Sequence, residues 1–226
     1  MCGRYVTPEQ AAAEREFSLR RSSWHFQASF NVAPSLEVPV VRRGAEGWEG
    51  SMMRWGLVPF FAHGETPRYS TINARAETLA TAASYRLPWR RGQRCLLPAA
   101  GFYEWHVEAD GARTPWFIRD ADRAVFGFAG LWDRSVRTDG SEVLSCTIVT
   151  LPANPLLARI HNVRQRMPAI LERDAQLDWL GDDPAAAQRA LQPYPAERLR
   201  AWPVSRRVNS PRNDGAELIA PLDAAG

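Results

Sequence analysis

Residues 94–108 read RCLLPAAGFYEWHVE, and residues 114–120 read TPWFIRD. Both stretches consist mainly of the aliphatic and aromatic residues that favour β-strands. Asp110 and Gly111 lie between them, and Asp-Gly is a frequent central pair of the tight turns that join two strands. The sequence therefore predicts an antiparallel hairpin in this region.

Similar short, strand-like stretches occur on both sides of the hairpin and are not interleaved regularly with long helices. They lie at residues 31–43, 51–61, 123–135, 142–151 and 166–171. This arrangement predicts an α+β fold built around a curved, mostly antiparallel β-sheet or barrel with short flanking helices. We expect a single domain over residues 1–226 that ends in a loose tail of about seven residues.

Five stretches predict the short helices. They are residues 7–20, 72–83, 154–162, 172–181 and 182–192. In the first of them we expect Thr7 to be the N-cap, with Pro8 at the first helical position and Gln10 completing a capping box.

The composition excludes several classes of protein. No apolar run approaches the roughly 18–20 residues of a membrane span, and the first ten residues lack the apolar segment of a signal peptide, so we expect a cytoplasmic protein with no membrane partner. The three cysteines, Cys2, Cys95 and Cys146, are odd in number and form no CxxC pair, which argues against disulfides or zinc. Histidines with metal-ligand spacing and phosphate-binding glycine motifs are both absent, so we expect no metal and no cofactor.

The charged residues are unusual in kind rather than in balance. The net charge is +3, yet all 28 basic residues are arginine and none is lysine. Arginine binds phosphate bidentately and stacks on bases, but it does not act as an amine nucleophile. A primary amine is therefore available only at the amino terminus of the chain.

Cys2 lies in the opening stretch MCGRY, outside any apolar run, whereas Cys95 and Cys146 lie in strand-like stretches and are expected to be buried packing residues. If the initiator methionine is removed, Cys2 carries a free α-amine beside its thiol, and an α-amine has a pKa near ~7.7–8.0. Such a terminus suits two chemistries. Its thiol can attack an amide with the amine as base, or its amine can attack an aldehyde and the thiol can then close a thiazolidine ring.

Further candidate residues follow along the chain. Asn73 offers an amide donor and acceptor, and Glu104, between Tyr103 and Trp105, is placed where a carboxyl pKa tends to rise. His161 is the default acid or base near pH 7, and an exposed aromatic ring such as Phe61 could stack on a base. Each also has a plainer interpretation as a capping, strand-surface or core residue.

The candidate residues belong to a series of short motifs along the chain: MCGRY, NVAPS, RWGLVP, INARAET, CLLPAAGFYEW, FAGLWD, IHN with RMPAIL, and VNSPRNDGAELI. Taken together and in this order, these motifs resemble the SOS-response-associated peptidase (SRAP) family from residue 1 to about residue 219.

The resemblance implies an SRAP-type domain that binds single-stranded DNA, captures abasic sites and removes its own initiator methionine. Cys2 would be the crosslinking nucleophile, Asn73 would orient it, and Glu104 and His161 would transfer protons. DNA contacts would come from a further set of residues: Arg4, Asn31, Phe61, Arg75, Trp105 and Arg166. The protein would act as a nucleoid-associated monomer.

The sequence departs from the family pattern at three places. Phe61 stands where a tryptophan is usual, Ala100 where an aspartate is common, and the stretch from His161 to Pro168 is longer than the compact family form. The longer stretch leaves Arg164 and Arg166 as alternatives for the phosphate contact, and we favour Arg166 because it directly precedes Met167 and Pro168.

Two other functions use the same features. An N-terminal-nucleophile amidohydrolase or protease would use Cys2 with amide turnover as its signature. A DNA-binding module without chemistry would bind through its arginines and would not need Cys2.

Overall fold

The computed structural model describes residues 2–19 and 21–222. Within these residues the chain forms thirteen strands: β1 (Tyr5–Val6), β2 (Arg21–Ser22), β3 (Glu37–Gly44), β4 (Gly47–Trp55), β5 (Asn73–Arg75), β6 (Arg94–Ala99), β7 (Gly101–Val107), β8 (Arg113–Asp120), β9 (Phe126–Val136), β10 (Glu142–Pro152), β11 (Arg166–Pro168), β12 (Ile170–Leu171) and β13 (Leu199–Pro203). The same residues form five α-helices: α1 (Gln10–Glu16), α2 (Arg86–Arg90), α3 (Pro155–Ile160), α4 (Arg173–Leu180) and α5 (Pro184–Ala190). Single 3-10 turns occur at Phe60–Ala62, Ala76–Thr78, Ala196–Arg198, Arg206–Asn209 and Ala216–Ile219.

Five strands close into a barrel. The order is β10-β4-β3-β6-β9, and β9 pairs back onto β10. All of these pairs are antiparallel except β10 with β4. The chain is glycine at residue 130 because a Cβ there would lie 2.5 Å from Leu97 Cδ1 and 2.7 Å from the Thr147 carbonyl oxygen. The predicted α+β fold with a mostly antiparallel barrel and short helices is confirmed.

The predicted hairpin is also confirmed. Strands β7 and β8 pair antiparallel, and Gly111 takes a φ of 84° in the turn between them, a conformation that glycine adopts without steric cost. The Glu108 amide donates to the Ala112 carbonyl at 2.8 Å and closes the hairpin. With β1 and β13 on its two sides, the hairpin forms a second, four-stranded antiparallel sheet.

Aromatic packing joins the amino-terminal strand to the barrel. Tyr5 of β1 is fully buried, and its ring meets the rings of Trp55 and Phe128 edge-on, with centroids 5.3 and 5.9 Å apart. Burying such a side chain contributes about 2 kcal/mol. This packing holds the start of the chain against the protein core, in which Cys95 and Cys146 are buried as predicted.

Two helix predictions were wrong, the first in its bounds and the second in the kind of structure. The first helix begins at Gln10, because the Thr7 hydroxyl is bonded to Ser29 in place of capping the helix. Within residues 72–83, the chain forms strand β5 and then one 3-10 turn rather than an α-helix. Asn73 lies in β5 because that strand completes pairing with β10 opposite Ile148.

The carboxyl-terminal segment from residue 205 to residue 222 packs back against the amino-terminal strand. Val208 and Leu218 are buried, and Leu222 donates its amide to the Pro203 carbonyl at 3.0 Å. Residues 220–222 of the predicted tail belong to this segment, and its last four residues lie outside the described part of the chain, so the loose tail stays a prediction. No helix in residues 2–19 and 21–222 is long and apolar enough to cross a membrane.

Candidate active site

Strand pairing brings the amino terminus to Glu104. In the register of β1 and β7, Tyr5 lies opposite Phe102 and Val6 opposite Gly101, and the Tyr103 amide donates to the Arg4 carbonyl at 3.0 Å. Because antiparallel partners run in opposite directions, the residues before Arg4 continue along β7 toward Glu104. One short strand pair therefore brings the MCGRY motif beside Glu104, although the two are far apart in the sequence.

Cys2 is buried, with 1% of its surface exposed. Its Sγ lies 3.7 Å from the Arg4 carbonyl oxygen, which accepts a weak hydrogen bond from the thiol. Burial raises the pKa of the Cys2 thiol, and the nearby carboxylate of Glu104 raises it further. The sulfur is thus kept as a neutral thiol near pH 7, unlike the preformed thiolate of many cysteine nucleophiles.

Asn73 holds the backbone of Cys2. Its Nδ2 donates to the Cys2 carbonyl oxygen at 2.9 Å, and its own carbonyl accepts a bond from the Tyr85 hydroxyl at 3.1 Å. Asn73 Oδ1 is buried and has no hydrogen-bond partner among the described residues. A buried amide oxygen without a donor is costly, so this atom is placed to accept a hydrogen bond from a group that joins the site.

Glu104 is a buried carboxyl group with 2% of its surface exposed. Burial raises its pKa from 4.5 to about 7, because the low-dielectric surroundings disfavour the carboxylate. At neutral pH the group is therefore divided between its protonated and ionised forms. This is the state in which a side chain can both accept and donate a proton.

His161 faces Glu104 across the site. Its Nε2 lies 3.8 Å from Glu104 Oε2, and its Nδ1 lies 2.9 Å from the Arg166 carbonyl oxygen. The Arg166 amide also lies 3.4 Å from Nδ1, but the contact with the carbonyl is shorter, and a carbonyl only accepts. We therefore assign the proton of the neutral ring to Nδ1, which leaves Nε2 as an acceptor toward Glu104. Burial lowers the pKa of His161, so the neutral form is favoured near pH 7.

A cleft of about 220 Å³ opens beside these two side chains. Its other lining residues are Trp105, Val107, Arg113, Val163 and Arg164. Val163 is 67% exposed, and the positive charge of Arg164 contributes to the lowered pKa of His161. The site predicted from sequence is therefore extended by Arg113 and Val163, which had no motif to indicate them.

Arg166 is held by a carboxylate of the protein itself. Its Nη1 and Nη2 donate to the two oxygens of Glu77 at 2.5 and 2.9 Å, and Nη2 also donates to the Thr150 carbonyl at 2.7 Å. The described residues include no carboxylate within ion-pairing distance of Arg164. Of the two arginines left open by the sequence, Arg164 is the one on the cleft.

The remaining predicted DNA contacts fall into two groups, and the first makes internal bonds. Arg4 Nη1 donates to Asn31 Oδ1 and to the Val208 carbonyl, both at 2.8 Å. Asn31 is buried, and its Nδ2 bonds to the Ser210 and Asn213 carbonyls at 2.9 and 2.8 Å. These two side chains fasten the carboxyl-terminal segment beside the amino terminus.

The second group lies at the surface. Arg75 is exposed two residues beyond Asn73 in β5. Phe61 is 43% exposed in the 3-10 turn that follows β4, edge-on to Phe60 at 5.5 Å. Trp105 lines the cleft and donates from Nε1 to Asn209 Oδ1 at 2.8 Å. The predicted contacts with DNA stay predictions for both groups.

Within the described part of the chain, no group of three or more histidine, cysteine or acidic side chains is arranged to hold a metal ion.

Comparison with known proteins gives concordant matches. The family model described as "SOS response associated peptidase (SRAP)" matches residues 1–211. The chain is 36% identical over 225 residues to the abasic site processing protein YoqW of Bacillus subtilis, covering 97% of this chain and 99% of that protein. It is 32% identical over 267 residues to the abasic site processing protein HMCES of Gallus gallus, covering 99% of this chain and 78% of that protein. A crystal structure of a Bacteroides thetaiotaomicron protein superposes with a TM-score of 0.87 at 25% identity, covering 98% of this chain and all of that one.

Proposed function

The chain belongs to the SOS response associated peptidase (SRAP) family, and on this premise we propose that it processes abasic sites in DNA by capturing them covalently through Cys2. The finer steps are our proposal. The substrate is single-stranded DNA, the electrophile is the aldehyde of the ring-opened abasic sugar, and the product is a thiazolidine that joins the sugar to the protein.

One observation carries this proposal: the convergence of Cys2, Asn73 and Glu104. Nδ2 of Asn73 holds the Cys2 carbonyl by a hydrogen bond. Oδ1 of the same side chain has no hydrogen-bond donor among the described residues, and Cys2 is the residue whose amine the reaction requires. Once Met1 is removed, the α-amine of Cys2 can donate a hydrogen bond to this oxygen. A hydrogen bond of that kind would orient the nitrogen lone pair toward an incoming carbonyl.

The covalent chemistry balances without a cofactor. The neutral α-amine adds to the sugar aldehyde carbon, and the resulting carbinolamine loses one water to give a protonated imine. The Cys2 sulfur then adds to the same carbon and loses its proton, while the electron pair of the C=N bond moves to nitrogen. The product is a five-membered ring that contains nitrogen and sulfur, and the net change is the loss of one water.

Glu104 and His161 supply the proton transfers. A carboxyl group with a pKa of about 7 can protonate the departing hydroxyl of the carbinolamine and then accept the proton that the Cys2 thiol releases. This second role matters because burial keeps the thiol protonated until it reacts. His161, with Nε2 directed at Glu104, can exchange protons with that carboxyl and with the opened sugar.

The setting of Cys2 supports the aldehyde reaction over the alternative of a cysteine amidohydrolase. In an amidohydrolase the sulfur attacks first and must be activated as a thiolate, whereas burial here raises the pKa of the thiol. In the proposed order the amine reacts first and the neutral sulfur closes the ring afterward. The family peptidase label is accounted for by release of Met1.

Intact-mass spectrometry tests the proposal directly. The purified protein, first checked for loss of Met1, is mixed with an abasic single-stranded oligonucleotide, with glutamine, or with a peptide. We expect a mass equal to protein plus oligonucleotide less one water, and no turnover of glutamine or peptide. The proposal fails if the mature chain retains Met1 or if amide turnover occurs without a DNA adduct.

The variant Cys2→Ser distinguishes a thiazolidine adduct from an imine adduct, which intact mass alone does not do because the two have the same mass. The serine variant keeps the α-amine, so we expect an adduct that borohydride traps and that heating releases. The wild-type adduct is expected to survive heating and to resist borohydride. A heat-stable adduct of Cys2→Ser would contradict ring closure by sulfur.

A further inference from the structure

A second cleft, of about 440 Å³, lies between α2, β6 and the end of α4. We call it the arginine cleft and define it by Arg43, Arg90, Arg91, Arg94, Trp89 and Asp182, which line it. Four arginines against one aspartate leave three net positive charges. Since the whole chain carries a net charge of +3, this one cleft holds an excess as large as that of the entire protein.

Arg94 forms the floor of the arginine cleft. It is buried and its guanidinium lies 5.4 Å from the ring centre of Trp89. Its Nε and Nη2 each donate at 2.6 Å, to the carbonyls of Trp179 and Gly181. The described residues provide no hydrogen-bond acceptor for Nη1 and no ion-pair partner for Arg94. The carboxylates of Asp182 and Asp183 act on its charge from a greater distance, so the floor presents a cation with an unused donor.

Arg90 and Arg91 form the outer wall. Both side chains are exposed, and neither has an ion-pair partner in the described residues. On the rim, Arg43 is bound to Asp182 at 2.5 Å, so this aspartate neutralises the rim and leaves the floor and wall charged. Guanidinium groups arranged in this way match the geometry of phosphate oxygens.

The arginine cleft is continuous with the exposed aromatic pair Phe60–Phe61. Arg90 also lines the neighbouring depression formed by Phe60, Phe61 and Arg86, and the Arg91 guanidinium lies 5.9 Å from the ring centre of Phe60. A stacking surface that leads into a row of cations is the arrangement that binds single-stranded nucleic acid, with bases on the rings and phosphates on the arginines.

We propose that the arginine cleft binds the phosphodiester backbone of the DNA strand that continues past Phe60–Phe61, away from the abasic site. This inference rests on the proposed function for the identity of the ligand as DNA. The arginines line two neighbouring depressions that share Arg90, and cations distributed over two depressions favour a polymer backbone over a single small anion.

The test measures binding of undamaged single-stranded DNA by the double variant Arg90→Gln/Arg91→Gln, using fluorescence anisotropy over a range of salt concentrations. The probe has about 20 nucleotides, which exceeds the roughly 4–16 covered by one small single-strand-binding fold. Losing two phosphate contacts is expected to reduce the slope of log affinity against log salt by about 1.4. The matched control is Arg15→Gln/Arg200→Gln, which removes the same charge from two exposed sites outside the cleft.

A second measurement separates this inference from the proposed function. Crosslinking is measured with an abasic oligonucleotide of about 4 nucleotides, the lower end of the roughly 4–16 covered by one small single-strand-binding fold. We expect Arg90→Gln/Arg91→Gln to crosslink this short probe as fast as wild type. If the double variant binds the long probe with the wild-type affinity and salt slope, the inference is wrong while the proposed function stands. If it instead slows crosslinking of the short probe, the arginines serve the reactive site and the inference is again wrong.

Discussion

Two buried carboxyl groups on neighbouring strands of one sheet behave in opposite ways. Glu104 lies in β7 and Asp120 at the end of β8, and their exposed fractions are 2% and 0%. Yet the pKa of Glu104 is raised to about 7, whereas that of Asp120 is lowered to about 2. Burial alone therefore does not decide the charge of a side chain in this protein.

Hydrogen bonds to the charged form account for Asp120. Burial would raise its pKa, but the Tyr194 hydroxyl donates to it at 2.6 Å, the amides of Asp122 and Arg123 each donate at 2.9 Å, and Arg123 Nε donates at 3.1 Å. These donors stabilise the carboxylate more than burial penalises it. Asp120 is thus a permanent anion that ties β8 to the segment around Tyr194.

Glu104 lies instead in a site where burial favours the protonated carboxyl group. It faces His161 Nε2 at 3.8 Å and the solvent-connected cleft beside it. At Asp120 the hydrogen bonds that favour the carboxylate outweigh burial, whereas at Glu104 burial outweighs the interactions that favour the carboxylate.

The largest effect is expected for Glu104→Gln. Glutamine keeps the shape but carries no transferable acidic proton, and general acid–base catalysis contributes roughly 100- to 10,000-fold, so we expect crosslinking to slow by about 100-fold or more. The rate of adduct formation with abasic DNA measures this. Glu108→Gln, which alters an exposed carboxylate just beyond β7, serves as the control, and an unchanged rate in Glu104→Gln would make that residue structural.

Asp120→Asn is expected to destabilise the fold by about 3 kcal/mol, because it removes the charge from several hydrogen bonds and turns an acceptor into a donor. The free energy of unfolding in urea measures the loss. Well below the melting temperature, crosslinking should proceed at the wild-type rate. If Asp120→Asn slowed the reaction as much as Glu104→Gln does, the contrast between the two carboxyl groups would be wrong. The exposed Asp122→Asn variant is the control for both the stability and the rate.

The pH dependence of stability should have opposite signs for the two carboxyl groups. The folded pKa of Glu104 is above its ordinary value of 4.5, so the folded state binds more protons between about pH 4.5 and 7 and loses stability as pH rises through that window. Asp120 contributes stability that is present above pH 3.8 and is lost as pH falls toward about 2.

Unfolding curves at several pH values check this sign. Relative to wild type, Glu104→Gln is expected to gain up to about 3 kcal/mol as pH rises from below 4.5 to above 7. A constant difference across this range would mean that the carboxyl of Glu104 does not change its proton occupancy on folding.

The smallest effects are expected for Arg166 and Arg164, of which the first is bound to a carboxylate of the protein and the second lies on the cleft. Arg166, bound to both oxygens of Glu77, should act as a structural group, so Arg166→Gln is expected to cost about 1 kcal/mol of stability. Arg164 lies on the cleft, so Arg164→Gln is expected to weaken binding of abasic DNA several-fold at unchanged stability. Anisotropy and urea unfolding are measured for both, with exposed Arg159→Gln as control, and an interchange of the two results would contradict the assignment.

The sequence could predict elements whose signal is local. The hairpin of β7 and β8 followed from the Asp110–Gly111 turn, and the burial of Cys95 and Cys146 followed from their apolar neighbours. Glu104 was a candidate because aromatic residues flank it. Each of these inferences needed only the residues next to the feature.

Features that depend on distant partners could not be predicted in this way. Asn73 meets Cys2 across 71 residues, and Thr7 does not cap the helix because its hydroxyl accepts a hydrogen bond from the Ser29 amide instead. The bond of Arg166 to Glu77, 89 residues away, has no signal in the residues around Met167. Long-range pairing decides such cases, and a single sequence does not display it.

The bonds from Arg4 and Asn31 to the segment around Val208 have a consequence for protein synthesis. The amino terminus emerges first from the ribosome, whereas the carbonyl groups that anchor its neighbours are made last. A product truncated before residue 208 would lack these anchors, so its terminus would not be held in the geometry of the finished molecule.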